Sequence, residues 1–144
     1  MTDFVNESKS TFKNDEDSDG TESTSSMKLS DYPTLSGWDD IEDGDMNVLR
    51  GIYSYGFEKP SPIQQKAIPP MIDRRDMIAQ AQSGTGKTGA FTVGTLNIID
   101  TSKKTTQAIV MAPTRELAMQ ISNVFKNIGT FLDNYKVQLL VGGN

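Results

Sequence analysis

The chain has 144 residues with Lys+Arg 14, Asp+Glu 19, no Cys and no His, giving a formal net charge of −5. Without His the usual Ser-His-Asp and Cys-His nucleophile systems are excluded. Without Cys as well, so are zinc ribbons, zinc fingers and disulfide scaffolds, and any metal must use oxygen ligands such as those of Mg²⁺ or Ca²⁺. That length fits one domain or most of one. No run approaches the roughly 18 apolar residues that cross a bilayer. The opening Met1-Thr2-Asp3-Phe4-Val5-Asn6-Glu7 is too polar and acidic for a signal or transit peptide. The expectation is a soluble chain of the cytosol or nucleus, without membrane or zinc.

The net charge divides into two opposite halves. Residues 1–46 hold 13 acidic and 3 basic side chains, and residues 47–144 hold 6 acidic and 11 basic. The first 30 residues also carry 11 Ser and Thr with few apolar groups. Such a segment cannot bury enough surface to offset its chain entropy, so residues 1–35 read as a disordered acidic tail. One role for the tail is solubility; another is an electrostatic arm that folds back on the basic body and competes with an anionic ligand.

Helical and apolar-strand patterns alternate from about residue 45. Val48, Leu49 and Ile52 share a helical face behind Asp45, a suitable cap. Pro62 fits the first position of a second helix capped by Ser61, with Ile63 and Ala67 inward. Asp76–Gln80 reads as a short strand, followed by a Gly-rich loop and a helix to about Ile99. Ala108–Ala112 is a second, wholly apolar strand. Leu117, Ile121, Val124, Phe125 and Ile128 then keep helical spacing, closed by Gly129. Val137–Val141 is a third strand. Apolar strands alternating with helices predict an α/β fold with a parallel sheet covered on both faces.

Two stretches carry chemistry. In Ala81-Gln82-Ser83-Gly84-Thr85-Gly86-Lys87-Thr88 the glycines let the backbone curl so that its N–H groups face phosphate oxygens, and the following helix adds its positive end. Lys87 reaches the β- and γ-phosphates of a nucleoside triphosphate, and the Thr88 hydroxyl ligates Mg²⁺. Ala81 stands where the general pattern has Gly. The other stretch is Gly56-Phe57-Glu58-Lys59-Pro60-Ser61-Pro62-Ile63-Gln64-Gln65. A carboxamide at Gln64 matches the N6 donor and N7 acceptor of adenine, and the Phe57 ring can lie against a base. Ser61-x-x-Gln64 is equally a capping box, in which the Gln bonds back to the cap N–H.

Taken together, these stretches resemble the DEAD-box RNA helicases. Gly56–Gln64 looks like their Q motif and Ala81–Thr88 like their motif I, where Ala in first position is common. Pro113-Thr114-Arg115-Glu116-Leu117-Ala118 looks like motif Ia, and Gly142-Gly143 like the GG motif. The wording of Leu49–Tyr53 and Ala79–Ser83 is closest to the translation-initiation-factor branch. The resemblance covers about residues 36–144 and implies the N-terminal portion of a RecA-like ATP-binding domain. It implies ATP with Mg²⁺ held by Ala81, Gln82, Ser83, Gly84, Thr85, Gly86, Lys87 and Thr88, with Lys87 and Thr88 catalytic. It also implies Gln64 as adenine reader, with Phe57 and Lys59 beside the base. RNA phosphates would meet Pro113, Thr114 and Arg115 at a helix start and the amides of Gly142 and Gly143. Read without the resemblance, these same positions are an N-cap, a surface charge and a strand-end turn. Trp38 stands near where the family carries an upstream aromatic, usually Phe.

The family continues with Asp-Glu-Ala-Asp and Ser-Ala-Thr motifs, a second RecA-like domain and the strand that lies beside the P-loop strand. None of these occurs here: beyond residue 99 the acidic residues are Asp100, Glu116 and Asp133, all isolated. The expected activity is therefore ATP-dependent RNA duplex remodelling, with RNA and translation-initiation proteins as partners, in a portion inactive by itself. An alternative is a short non-catalytic protein that competes with intact helicases. A GTPase lacks support, because no Asn-Lys-x-Asp run is present. The purified 144-residue chain should release no phosphate in response to RNA and show no sharp two-state thermal transition by near-UV circular dichroism. RNA-stimulated release that disappears in Lys87→Ala would overturn the first expectation.

Overall fold

Helix α1, Met46–Ser54, starts where expected: the Asp45 carboxylate accepts from the Asn47 N–H at 2.7 Å. The computed structural model describes residues 29–142. Within them lie three further α-helices, α2 Pro62–Ile72, α3 Lys87–Ile98 and α4 Arg115–Ile128, and short 3₁₀ turns at Leu29–Asp31, Trp38–Asp40 and Gly129–Phe131. The core joins Val48 and Ile52 of α1 to Ala67 and Ile68 of α2. Ala90, Val93 and Leu96 of α3 and Ile121, Phe125 and Ile128 of α4 complete it. Glycine decides how closely two of these helices meet. A Cβ at Gly51 would lie 1.8 Å from the Ile128 carbonyl oxygen, so α1 presses its backbone against the end of α4.

The most consequential local feature of α2 is the pair Pro69 and Pro70 inside it. A proline has no N–H to give to the carbonyl four residues earlier, so Pro69 leaves the Gln65 carbonyl without its helical donor. The Leu35 N–H takes that place at 3.1 Å. Residues 29–40 therefore run as a strap along α2, from its C-terminal end toward its start. Tyr32 donates to the Asp73 carboxylate just past the helix, Leu35 is buried in the middle, and Trp38 is fully buried near the start. The packed chain thus begins ahead of residue 36. Residues 1–28 of the expected acidic tail lie outside the described residues.

The three expected strands are not paired. Among the described residues there is no β-ladder, and no described backbone hydrogen bond joins 76–80, 108–112 or 137–141. The reason is geometric: a strand's N–H and C=O groups point sideways, so it forms a ladder only with a neighbour in place. Gly129 also differs from expectation. Its φ of −80° is not the left-handed cap; the absent side chain matters because a Cβ there would lie 2.3 Å from the Tyr135 ring.

That close packing shields the Tyr135 phenol, and burial raises it above its ordinary value of 10.0. The folded chain then holds this proton more tightly than the unfolded chain does. Its contribution to stability is complete below pH 10 and is lost as pH climbs through the raised folded value. Tyr135→Phe should flatten the fall in helix stability between about pH 8 and about pH 11, read as the urea midpoint of the far-UV signal. An unchanged slope would show that Tyr135 is not the group responsible.

Candidate functional site

The Gly-rich loop adopts the conformation that its glycines permit. Gly84 has φ +78° and Gly86 φ +97°, both in the region that residues with a Cβ avoid. Gly86 caps α3, whose N-terminus therefore points into the loop. Among the hydrogen bonds described, none engages a backbone N–H of residues 83–86. The Lys87 Nζ reaches back across the loop and donates to the carbonyls of Ala81 at 2.5 Å and Gln82 at 2.8 Å. The Thr85 hydroxyl also donates to the Gln82 carbonyl, at 2.6 Å. Ser83 and Gly84 are exposed, while Lys87 and Thr88 are half-buried. The result is a curled backbone with one cation folded over it.

This loop is braced by the segment that precedes α2. Gln64 is 3% exposed. Its Oε1 accepts from the Ser61 N–H at 2.8 Å, so the capping box is formed. Its Nε2 donates to the Gly86 carbonyl at 3.1 Å, and the Ser61 hydroxyl donates to the Thr85 carbonyl at 2.8 Å. The carboxamide therefore caps α2 and binds the loop at once. One donor and one lone pair of the amide stay beyond these two bonds.

The aromatic residues extend the brace. Phe57 stacks on Trp38 with centroids 5.9 Å apart and planes 15° from parallel, and meets the edge of Tyr55 at 4.9 Å. Its other neighbour is α3: a Cβ at Gly89 would lie 2.9 Å from Phe57 Cε2 and 2.6 Å from Gln64 Nε2. Lys59 is exposed on the loop between Phe57 and Ser61.

The remaining expected residues lie elsewhere. Thr114 caps α4, its Oγ1 accepting from the Leu117 N–H at 3.2 Å, with Pro113 and Arg115 exposed beside it. Gly142 is exposed with open space where a Cβ would be, and Gly143 lies outside the described residues. The sequence reading missed two contributors, Gly89 and the Ser61 hydroxyl. A glycine inside a helix costs about 1 kcal/mol relative to Ala, so its presence as the third residue of α3, directly after Thr88, is a signal of close approach. Ser61 gave no such signal beyond its cap.

Several known proteins are similar to this chain. A model of the DEAD/DEAH box helicase family matches residues 61–144, more than half of the chain. The ATP-dependent RNA helicase eIF4A of Debaryomyces hansenii is 56% identical over 97 residues, covering 67% of this chain and 24% of that protein. The ATP-dependent RNA helicase FAL1 of Eremothecium gossypii is 60% identical over 87 residues, covering 60% of this chain and 22% of that protein. Among solved structures, S. cerevisiae Dbp5 bound to RNA and ADP BeF3 superposes with a TM-score of 0.64 at 41% identity, over 67% of this chain and 25% of that one. Prp28 from Chaetomium thermophilum bound to ADP gives 0.66 at 32%, over 77% of this chain and 28% of that one. The chain thus spans about a quarter of the length of these relatives, and it has the P-loop NTPase fold.

If Gly89 lets the two segments meet, Gly89→Ala should separate them. Hydrogen exchange at the amides of residues 61–65 should then quicken by about tenfold while the last turns of α4 stay unchanged, as expected for a local opening. Equal acceleration in both places would mean a general loss of stability instead. The family match, the loop and its brace agree, and the chain belongs to the DEAD/DEAH box helicases.

Proposed function

We propose that the chain carries the nucleotide-binding front of an ATP-dependent RNA helicase of the translation-initiation-factor branch, residues 36–144 being the N-terminal portion of its first RecA-like domain. The observation that supports this most directly is the pair of hydrogen bonds made by the Gln64 side chain. Its carboxamide joins the capped start of α2 to the Gly86 carbonyl, so base-side and phosphate-side residues form one rigid unit. In this reading 76–80, 108–112 and 137–141 are strands of the domain's parallel sheet, and the residues ahead of the strap form an acidic tail. The protein would work in the cytoplasm or nucleus with RNA and initiation proteins; none of the described helices is long and apolar enough to cross a membrane.

The site chemistry follows from charge. ATP brings anionic oxygens to the loop of Ala81, Gln82, Ser83, Gly84, Thr85 and Gly86, where backbone N–H groups and the start of α3 favour negative charge. Lys87 then exchanges two neutral carbonyls for a phosphate, a stronger charge-assisted partner. Thr88 in the first turn of α3 would hold Mg²⁺ together with the phosphates, and the ion supplies charge neutralisation there. No group of three or more His, Cys, Asp or Glu side chains able to hold a metal occurs among the described residues. The spare donor and lone pair of Gln64 read adenine, with Phe57 and Lys59 beside the base. Thr114, Arg115, Gly142 and Gly143 meet RNA phosphates, which position the strand without reading its sequence. With the acidic motif absent from the 144 residues, binding without turnover is the property assigned to the chain alone.

The test is a titration with fluorescent ATP and GTP analogues in the presence of Mg²⁺. Lys87→Ala should weaken ATP by roughly 30-fold, the about 2 kcal/mol expected when one partner of a charged contact is removed. Gln64→Ala should reduce the preference for ATP over GTP while retaining the phosphate contacts. Equal affinity of wild type for both nucleotides, or binding indifferent to Lys87, would sink the reading.

A further inference from the structure

A pocket of about 150 Å³ lies where the turn between the strap and α1 meets the end of α3. Trp38 and Ile52, both fully buried, form its inner end, and the half-buried Ile41 and Leu49 line its sides. Met46, 73% exposed, stands at the mouth with the exposed Asp39 and Asp45. Hydrogen bonds hold this lining in place. The Asp45 N–H donates to the Asn97 side chain at 3.0 Å, and the Gly44 N–H to the Ile41 carbonyl at 3.2 Å. The Tyr53 hydroxyl donates to the Asp39 carboxylate at 2.6 Å. No basic residue lines the pocket, and residues 39–45 carry five acidic side chains and no basic one. The Trp38 Nε1–H is buried without an acceptor among the described residues. None of residues 81–88 lines this pocket, so what it binds is independent of the nucleotide reading.

We propose that this pocket docks a partner polypeptide, which inserts one Phe- or Leu-sized side chain flanked by Lys or Arg. Size sets the anchor, since an apolar cavity of about 150 Å³ accepts a molecule as large as benzene. Charge sets the flanks: carboxylates around an apolar hole attract cations and repel phosphate, which selects a basic peptide over a nucleic acid. A peptide also brings carbonyl oxygens, the acceptor chemistry that the Trp38 N–H lacks. A lining already fixed by its own hydrogen bonds loses little freedom when the pocket fills. A second copy of the chain fits poorly as the occupant. Its most exposed apolar side chains, Ile109, Met111 and Leu140, have no Lys or Arg within three positions to meet the carboxylates.

Trp38 is the only tryptophan of the chain, so its fluorescence reports directly on the pocket. The full 144 residues are titrated with the capped peptide Lys-Ser-Phe-Lys-Arg, and with versions carrying Ala for Phe or Glu for each basic residue. The expected result is a saturable change in Trp38 emission with the first peptide. The Ala version should bind about tenfold or more weakly, as for an anchor residue removed from its pocket. The Glu version should not bind. Asp39→Asn with Asp45→Asn should weaken the first peptide by about fivefold and flatten its salt dependence. That double variant keeps the fold, because Asn caps a helix as well as Asp does and still offers an acceptor to Tyr53. An unchanged emission, a Glu peptide that binds equally, or a double variant that binds like wild type would each overturn the proposal. So would two further outcomes: emission that changes with protein concentration alone, which indicates a second copy, or peptide binding seen only in Phe12→Ala, which indicates the chain's own Lys9–Lys13 run.

Discussion

One carboxamide holds the site together. Gln64 is buried, and its two ends bond to different segments, the Ser61 N–H on one side and the Gly86 carbonyl on the other. A buried amide that lost either partner would leave a polar group without compensation, at about 1–3 kcal/mol. The geometry of the loop is therefore coupled to the start of α2. The coupling needs two glycines: Gly86, whose φ of +97° and contact with Gln64 both exclude a side chain, and Gly89, where Phe57 and Gln64 converge. The capping box is formed, and together with the Gly86 bond it fixes the plane of the amide.

The strap applies the same logic at a larger scale. Pro69 breaks the helix ladder and frees a carbonyl, and the chain ahead of α1 supplies the replacement donor. Around that bond lie a Tyr32–Asp73 contact, a buried Leu35 and Trp38 stacked on Phe57. Tyr53 donates to Asp39 at 2.6 Å, and Asp40 accepts from the Ser36 and Gly37 N–H groups, so acidic residues of the strap fix its turns. Part of the acidity of residues 1–46 therefore has local structural work. The carboxylates of Asp73 and Asp39 also hold the Tyr32 and Tyr53 phenols above their ordinary values, since a phenolate there would face a negative charge and lose its hydrogen bond.

The helices and the segments expected as strands differ in what completes them. A helix satisfies its backbone internally and needs neighbours only for its apolar stripe, so α1 to α4 and their caps form around a shared core. A strand depends on its neighbour for every backbone bond as well as for both faces in a parallel sheet. This explains why Ile109 and Met111 are exposed in a chain whose Ile52, Ile68, Val93 and Ile128 are fully buried.

Sequence alone determined what depends on local chemistry. The curled Gly-rich loop, the Asp45, Ser61 and Thr114 caps, the inward faces of Ile63, Ala67, Ile121 and Phe125, and the order of the motifs are all legible, because each follows from spacing within a few residues. Tertiary structure decided whatever depends on residues far apart in the chain. It placed Ser61 against Thr85, set Leu35 on the carbonyl freed by Pro69, and explained Gly129 by the Tyr135 ring rather than by a left-handed φ. Spacing along a chain encodes periodicity and local bonds; it does not encode which distant group arrives to fill a vacancy.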